Sequence, residues 1–453
     1  MAEQPARPAS GGHQRLARGV AATGLGQSFV GFASGVQAVL VGALIGTTAG
    51  TDGFFAAYGL YTLVGVFAQS WRTTIVARLT ESPSQFSAFN RFCGAAAVIF
   101  LASGVIFVGL GGPVSALLGG SLPPEARTVA RETLLILWPA AGAQMLAALA
   151  ASMLGLLGNY SRAAIAYSAG SAVSIVAFLL LQPSLGLTAL SVAILIGTII
   201  SAGMLLVSLA RAGWRPSPAI IFELRANTRV ALLLLGASTT NALVYLSYLI
   251  SLTFAARLGE GAVTIYSYAY FGLQFVTTFV SSSVMIVLAA PIASTWDRRP
   301  RSLRPYYDDV FRTGLMIVLP VVAAALLVGQ DVASALLRQF SHRDAQSLIT
   351  VFLILTPGLV TAIAVTIPSV ALFTLGRYRA RATVAFVVVV LHALFCAIAV
   401  STDKLAALAL AGMATSLTGT IGVLWLLYGR AFTAVVARLA GQLLSVAVPA
   451  ALC

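Results

Sequence analysis

Long apolar runs constrain this chain more than any other feature: stretches of about 20 hydrophobic residues recur from end to end, separated by short polar breaks. A run of this length spans a bilayer when it is helical, and it lacks the apolar/polar alternation of barrel strands. In addition, 59% of the residues are hydrophobic and 9% are charged, whereas a soluble domain carries roughly 25% charged residues. The sequence therefore predicts an all-α polytopic membrane protein and excludes a soluble globular fold.

Twelve such runs are evident, and a polar segment divides them into two sets of six. A thirteenth apolar segment is either a further span or an amphipathic interfacial helix, because it carries Arg438 and Gln442. The expected organisation is therefore twelve or thirteen transmembrane helices. The runs are 22–45, 54–75, 94–110, 133–157, 163–181, 187–209, 230–256, 262–290, 310–328, 348–373, 383–400 and 405–427, followed by the segment 435–452.

Two six-helix lobes are expected, because six helices return the chain to the side of the membrane on which it began. The lobes would then be related by a pseudo-twofold axis along the membrane normal. A trace of duplication supports this, since 56–60 reads Ala-Ala-Tyr-Gly-Leu and 269–273 reads Ala-Tyr-Phe-Gly-Leu. The expected domains are a disordered cytoplasmic tail at 1–21, an N-lobe at 22–209, a cytoplasmic linker at 210–229, a C-lobe at 230–427 and an amphipathic or thirteenth membrane helix at 428–453.

The distribution of basic residues predicts the orientation. All but six of the 27 lysines and arginines fall in the N-terminal tail or in loops and helix ends on the same side of the membrane. By the positive-inside rule, the N-terminus and the central linker face the cytoplasm. This bias accounts for most of the net charge of +14. We therefore expect the basic residues to contact membrane lipid, and we expect no nucleic-acid partner. The six exceptions are Arg127, Arg131, Arg257, Arg338, Arg343 and Lys404.

The sequence offers no candidate catalytic or metal-binding group. Cys93, Cys396 and Cys453 lie in or beside apolar runs without the spacing of a zinc site or a disulfide framework. No histidines and cysteines cluster, and no Gly-rich phosphate loop precedes a lysine. We therefore expect no enzyme activity, no metal and no cofactor.

Polar and aromatic residues form one stripe on each of three predicted helices, the second, seventh and eighth, at helical spacing. Tyrosine and glutamine side chains suit the hydroxyl groups of a sugar, so these stripes are candidates for the lining of a substrate cavity between the lobes. The alternative is that they pack the bundle, as most polar residues in membranes do. With Gln37 of the first helix, the candidates are Tyr58, Tyr61, Thr62, Gln69, Arg72, Asn241, Tyr245, Tyr248, Tyr266, Tyr270 and Gln274.

Three ionisable residues in or beside the spans have alternative interpretations. Arg72 either extends its side chain to the cytoplasmic interface or contacts a phosphate at the mouth of the cleft. Asp52 is expected to cap the second helix from the external side. His392 is expected to be a buried neutral histidine, with a proton relay as the alternative.

Two hairpins carry a family resemblance. Residues 44–58 read Leu-Ile-Gly-Thr-Thr-Ala-Gly-Thr-Asp-Gly-Phe-Phe-Ala-Ala-Tyr, which resembles the "LG…TDAFFVAF" segment of MviN/MurJ-type lipid II flippases. Residues 254–270, from Phe-Ala-Ala-Arg-Leu-Gly-Glu-Gly to Tyr-Ser-Tyr-Ala-Tyr, are similar to a stretch in the second half of that family. The resemblance implies a two-lobed transporter of the multidrug/oligosaccharidyl-lipid/polysaccharide (MOP) exporter superfamily in the bacterial cytoplasmic membrane.

The chain departs from this family in its charges. Gly31, Gln37 and Gly65 align with positions where lipid II flippases place cavity arginines, and Tyr270 or Phe271 with another. A diphosphate needs paired cations when it leaves water. The expected function is thus translocation of a lipid-linked sugar or glycolipid with a less charged headgroup. The rivals are a MATE-like drug exporter and a non-transporting scaffold that recruits cell-envelope enzymes.

Overall fold

The fold is taken from a computed structural model, which describes residues 35–105, 121–277, 304–375 and 377–452. Within these residues every regular element is a helix, which confirms the all-α class. The expected tail at 1–21 and Gly31 lie outside the described residues.

The first lobe comprises helices α1 to α6. Helix α2 packs along α4, α4 packs against α6, and α5 pairs with α6. Gly53 of α2 lies against the backbone of Ala126 in α4, where a Cβ atom would overlap the carbonyl oxygen. This lobe therefore depends on close helix contacts through small residues, as is common in membranes. Its helices are α1 Gly35–Leu44, α2 Ala49–Glu81, α3 Gln85–Gly104, α4 Pro124–Leu156, α5 Tyr160–Leu185 and α6 Thr188–Arg211.

The second lobe comprises helices α7 to α12, followed by α13. Helix α11 pairs with both α7 and α12, and α13 packs mainly on α9. Helix α10 consists of two segments that meet at Pro357, which lacks the amide hydrogen needed to continue the helix. The helices are α7 Leu224–Ala255, α8 262–277, α9 Arg304–Leu336, α10 His342–Leu355 with Pro357–Thr374, α11 Tyr378–Val400, α12 Leu405–Tyr428 and α13 Phe432–Leu452.

Each of the thirteen apolar segments coincides with a helix in the described residues. By length and composition, nine helical stretches there could cross a membrane, with α12 and most of α13 counted as one stretch. The division into twelve or thirteen spans remains a prediction. Several helices extend beyond their apolar runs, since α2 begins at Ala49 and α7 at Leu224.

The two lobes meet through α2 and α3 of the first lobe and α7 and α8 of the second. Helix α2 packs along α7, where Gly59 lies against Leu249 and Leu252. The start of α8 hydrogen-bonds to the start of α2. The interface therefore contains both the helix starts and the three helices that carry the predicted polar stripes.

Candidate functional site

Asp52 joins the two lobes at the start of α8. Its carboxylate accepts hydrogen bonds from the backbone N–H of Gly261 over 2.7 Å and of Thr264 over 2.8 Å. The Thr264 hydroxyl donates to the same carboxylate over 2.6 Å. The prediction that Asp52 caps its own helix is therefore wrong: Thr48 caps α2 by accepting from the Thr51 N–H, and Asp52 caps a helix of the other lobe.

A second carboxylate makes the reciprocal contact. Glu260, immediately before α8, accepts a hydrogen bond from the backbone N–H of Ala49 at the start of α2 over 2.9 Å. Each lobe thus supplies an acidic side chain to a helix N-terminus of the other, where unpaired N–H groups and the helix dipole favour negative charge. We call Ala49, Thr51, Asp52, Glu260, Gly261 and Thr264 the inter-lobe clasp.

The turn between α1 and α2 fits into the second lobe beside the clasp. The Thr47 hydroxyl donates to Asp344 at the start of α10 over 2.9 Å. Gly46 lies against Gln339, and its φ of +82° is readily adopted only by glycine. Asp52 and Thr264 are fully buried. The lobes are therefore closed against each other at this end, which the basic-residue distribution predicts to be external.

Aromatic rings fill the interface further along the same helices. We call Tyr58, Tyr245, Tyr248, Tyr270 and Phe271 the aromatic cluster. Tyr58 of the first lobe meets Phe271 at 5.5 Å between ring centroids, and Tyr248 stacks on Tyr270 at 4.1 Å. All five side chains are uncharged. The structure therefore brings together four of the tyrosines that the sequence singled out, from three helices and both lobes.

Polar side chains extend the cluster at the interface. The Asn241 amide of α7 donates to the Ser70 hydroxyl of α2 over 2.9 Å, which is a direct bond between the lobes. The Gln274 amide donates to the Tyr270 hydroxyl over 2.6 Å. The buried Tyr245 hydroxyl lies beside Thr62 and makes no hydrogen bond of good geometry.

Three other predicted residues direct their polar groups into their own lobes: Gln37, Tyr61 and Tyr266. Gln37 donates to Ser174 of α5 over 2.7 Å. The Tyr61 hydroxyl faces Gln144 at 3.4 Å, although the Tyr61 ring still lies 5.7 Å from Tyr58.

Tyr266 donates to Ser251 inside the second lobe. Thr62 bonds to the carbonyl oxygen of Tyr58 within α2. Gln69 and Arg72 lie on α2, but their side chains are outside the described part of the structure.

The side chains of this site offer two kinds of contact that a ligand could use. Tyrosine rings offer an apolar face to the C–H groups of a ligand and a hydroxyl to its polar groups. Among the described residues, no group of three or more His, Cys, Asp or Glu side chains could hold a metal ion.

Some contributors to the interface were missed from the sequence. Phe55, which contacts Phe271 at 6.4 Å, and Ser70 both face the second lobe. Both lie on the helix that carries the predicted stripe. The apolar part of that helix could have identified Phe55, which a search for polar residues passes over, whereas Ser70 lies outside the predicted stripe.

The family model of the lipid II flippase MurJ matches residues 41–453. A solved structure of lipid II flippase MurJ in an inward closed conformation superposes with a TM-score of 0.78 at 16% identity, covering 94% of this chain and 90% of that chain. An inward-facing multidrug resistance MATE family transporter gives 0.66 at 19% identity, covering 93% and 95%. A MOP superfamily transporter from Pyrococcus furiosus gives 0.62 at 18% identity, covering 92% and 96%. No curated protein sequence matches this chain.

At these identities the solved structures show that this chain shares their fold. The family model is the stronger finding, because it extends over nearly the whole chain. The chain is a multi-pass membrane protein that belongs to the MurJ lipid II flippase family.

Proposed function

We propose that this protein translocates a lipid-linked sugar or glycolipid of low headgroup charge across the bacterial cytoplasmic membrane. The observation that supports this proposal most is the uncharged aromatic cluster between the lobes, in which Tyr58, Tyr248 and Tyr270 all contact the Phe271 ring. A diphosphate removed from water needs cations to pair with it, whereas a sugar needs flat apolar surfaces and hydroxyl partners.

The mechanism we propose is alternating access. The clasp closes the predicted external end of the interface, and the aromatic cluster packs the lobes together below it. When the lobes part, the tyrosine rings become available to a headgroup, while the lipid tail stays in the bilayer. Because each clasp contact joins opposite lobes, opening the external end requires these bonds to break and be replaced by water.

A headgroup-accessibility assay in proteoliposomes tests this function. A fluorescent hexose linked to a short polyprenyl phosphate is placed in one leaflet, and its exposure to a membrane-impermeant quencher is followed over time. We expect the protein to speed translocation over protein-free vesicles. Substituting Tyr58→Ala together with Tyr270→Ala should abolish most of this gain, because the headgroup loses two ring surfaces.

Tyr167→Ala is the matched control, since this tyrosine is half-buried on α5 and packs within the first lobe. We expect it to transport at the wild-type rate. If the double variant also transports normally, the cluster does not bind the headgroup. If the wild-type protein moves none of the lipids, the scaffold alternative is favoured, and export of a cationic dye instead would favour the drug exporter.

A further inference from the structure

A network of buried hydrogen bonds inside the second lobe centres on His392 of α11. Its Nε2 atom lies 2.9 Å from the Ser251 hydroxyl of α7, and its Nδ1 atom lies 2.8 Å from the Thr415 hydroxyl of α12. The Tyr266 hydroxyl of α8 donates to Ser251 over 3.0 Å. His392 is 2% exposed. This side chain therefore connects four helices of one lobe away from bulk water.

The partners of His392 define its protonation. The Thr415 hydroxyl donates its hydrogen to the Ala411 carbonyl over 2.7 Å, so it can only accept from the imidazole. Nδ1 therefore carries a proton, and in a neutral ring Nε2 accepts from the Ser251 hydroxyl. If the imidazole is neutral, as the sequence predicts, the network fixes its hydrogen on Nδ1.

A second proton would find no counter-charge here. One titratable group contacts the ring directly: the Cys396 thiol, 3.3 Å from Nε2. The Tyr266 hydroxyl is linked to the ring through Ser251, and Tyr248 stacks on Tyr266 at 6.5 Å. Helices α7, α8, α11, α12 and the second segment of α10 contain no Asp or Glu within their described bounds. Their basic residues lie near the helix starts, roughly 16 Å or more away along the axes: Arg225, Arg229, Arg379 and Arg381.

Protonation of His392 would therefore disturb the network in two ways. It would place an unpaired positive charge in a buried site, which is costly until water reaches it. It would also turn Nε2 from an acceptor into a donor, so Ser251 could no longer donate to it. Both effects favour a conformation in which these helices separate and hydrate.

Helix α8 links this network to the clasp. Tyr266 is anchored to Ser251, and two residues earlier Thr264 is anchored to Asp52 of the other lobe. The first turns of one helix therefore carry both contacts. A rearrangement at Ser251 that releases Tyr266 changes the position of the helix start on which the clasp depends.

We propose that His392 is a proton-binding site whose occupancy is coupled to the clasp, so that binding a proton favours the conformation in which the lobes part at the clasp. The coupling is reciprocal, and opening the clasp raises the affinity of the site for a proton. This proposal depends on the proposed function only in requiring that the lobes part. It identifies the proton as the coupling ion.

Histidine NMR tests the site directly, because the chain contains three histidines: His13, His342 and His392. The wild-type protein is labelled with ¹⁵N-histidine in lipid vesicles, and the other two signals are assigned from His13→Gln and His342→Gln variants. We expect the remaining histidine to be neutral with the hydrogen on Nδ1 at about pH 7.5 and to gain a proton only as the pH falls toward about 4, because a buried unpaired charge is costly. A ring that stays neutral throughout, or that carries its hydrogen on Nε2, overturns the proposal.

Spin-label distances test the coupling. Labels at Arg127→Cys and Arg343→Cys, exposed positions near the starts of α4 and α10 in opposite lobes, report opening at the clasp by double electron–electron resonance. Cys93 and Cys396 are buried, and Cys453 is replaced by Ser. We expect acidification to increase the population of a longer distance, with the same midpoint as the NMR titration. Because one proton is bound, the ratio of the long-distance to the short-distance population should change by no more than about tenfold per pH unit.

The control is His392→Gln, in which acidification should leave the distance distribution unchanged. The clasp itself contains two titratable carboxylates, Asp52 and Glu260, so Asp52→Asn and Glu260→Gln are measured in parallel. A response that persists in His392→Gln overturns the proposal, and its loss in Asp52→Asn or Glu260→Gln would then locate the sensor in the clasp. Neither readout contains a glycolipid, so a negative result here leaves the proposed function standing.

Discussion

At the scale of single residues, Asp52 shows what sequence reasoning can and cannot provide. Its place at the start of an apolar run correctly marks a helix N-terminus as the kind of partner it prefers. The helix it caps, however, begins far along the chain, since the Gly261 N–H that donates to Asp52 lies 209 positions away. Local preference identifies the type of interaction, and only the tertiary fold identifies the partner.

The first prediction concerns Thr264, whose hydroxyl donates to Asp52 inside the clasp. Thr264→Val removes this donor at similar volume and should weaken the clasped state by about 1–3 kcal/mol, because a buried carboxylate loses a hydrogen bond. Thr264→Ser keeps the donor and is the control. Spin-label distances between the lobes should lengthen in the Val variant and stay unchanged in the Ser variant. Equal distances in both would show that the hydroxyl is not needed for closure.

The second prediction concerns Gly53, where an added Cβ atom would lie 2.8 Å from the carbonyl carbon of Ala126. Gly53→Ala should lower the free energy of unfolding of the detergent-solubilised protein by about 1–3 kcal/mol, measured as a lower unfolding temperature. The reason is that backbone atoms cannot move aside as a flexible side chain can. Gly65→Ala is the control on the same helix, since the nearest atom there is Gln144 Nε2 at 3.8 Å. A stable Gly53→Ala protein would mean that α2 and α4 can separate freely.

At the scale of helices, the sequence predicted position well and boundaries less well. Apolar length is a strong signal because the bilayer sets it, so every predicted run coincides with a helix in the described residues. Helix ends depend on polar contacts instead. Helix α2 begins at Ala49, five residues before its apolar run, because Thr48 and Thr51 form a capping box there. Such ends carry the clasp, which hydropathy cannot detect.

The orientation of these helices is the third prediction. From the distribution of basic residues, a reporter fused after Arg225 or Arg304 should be cytoplasmic, and one near Glu125 or Arg343 should be external. Paired alkaline phosphatase and fluorescent protein fusions measure this, because each is active on one side of the membrane. If both reporters are active on the opposite sides, the topology is inverted and the clasp lies at the cytoplasmic face.

At the scale of the whole molecule, the two-lobed fold could be predicted because helix count, loop charge and two short motifs agreed. The interface could be predicted in part. Tyr58, Tyr248 and Tyr270 come together around Phe271, whereas Gln37 and Tyr266 bond within their own lobes. Helical spacing shows which residues share a face of one helix. It does not show which neighbouring helix that face meets, since this depends on the rotation of each helix in the bundle.

The central claim is that the cleft accepts a sugar headgroup of low charge. It is tested most directly by native mass spectrometry of the protein with three lipids: lipid II, a polyprenyl monophosphate-linked sugar and a neutral glycolipid. Arg72 is the basic residue in the polar stripe predicted to line the cleft. One cation can pair a monophosphate but leaves a diphosphate undercompensated, which weakens binding by orders of magnitude. We predict binding of the monophosphate-linked and neutral lipids, weak or no binding of lipid II, and loss of the monophosphate lipid alone in Arg72→Ala. Tight binding of lipid II that survives Arg72→Ala would contradict the account.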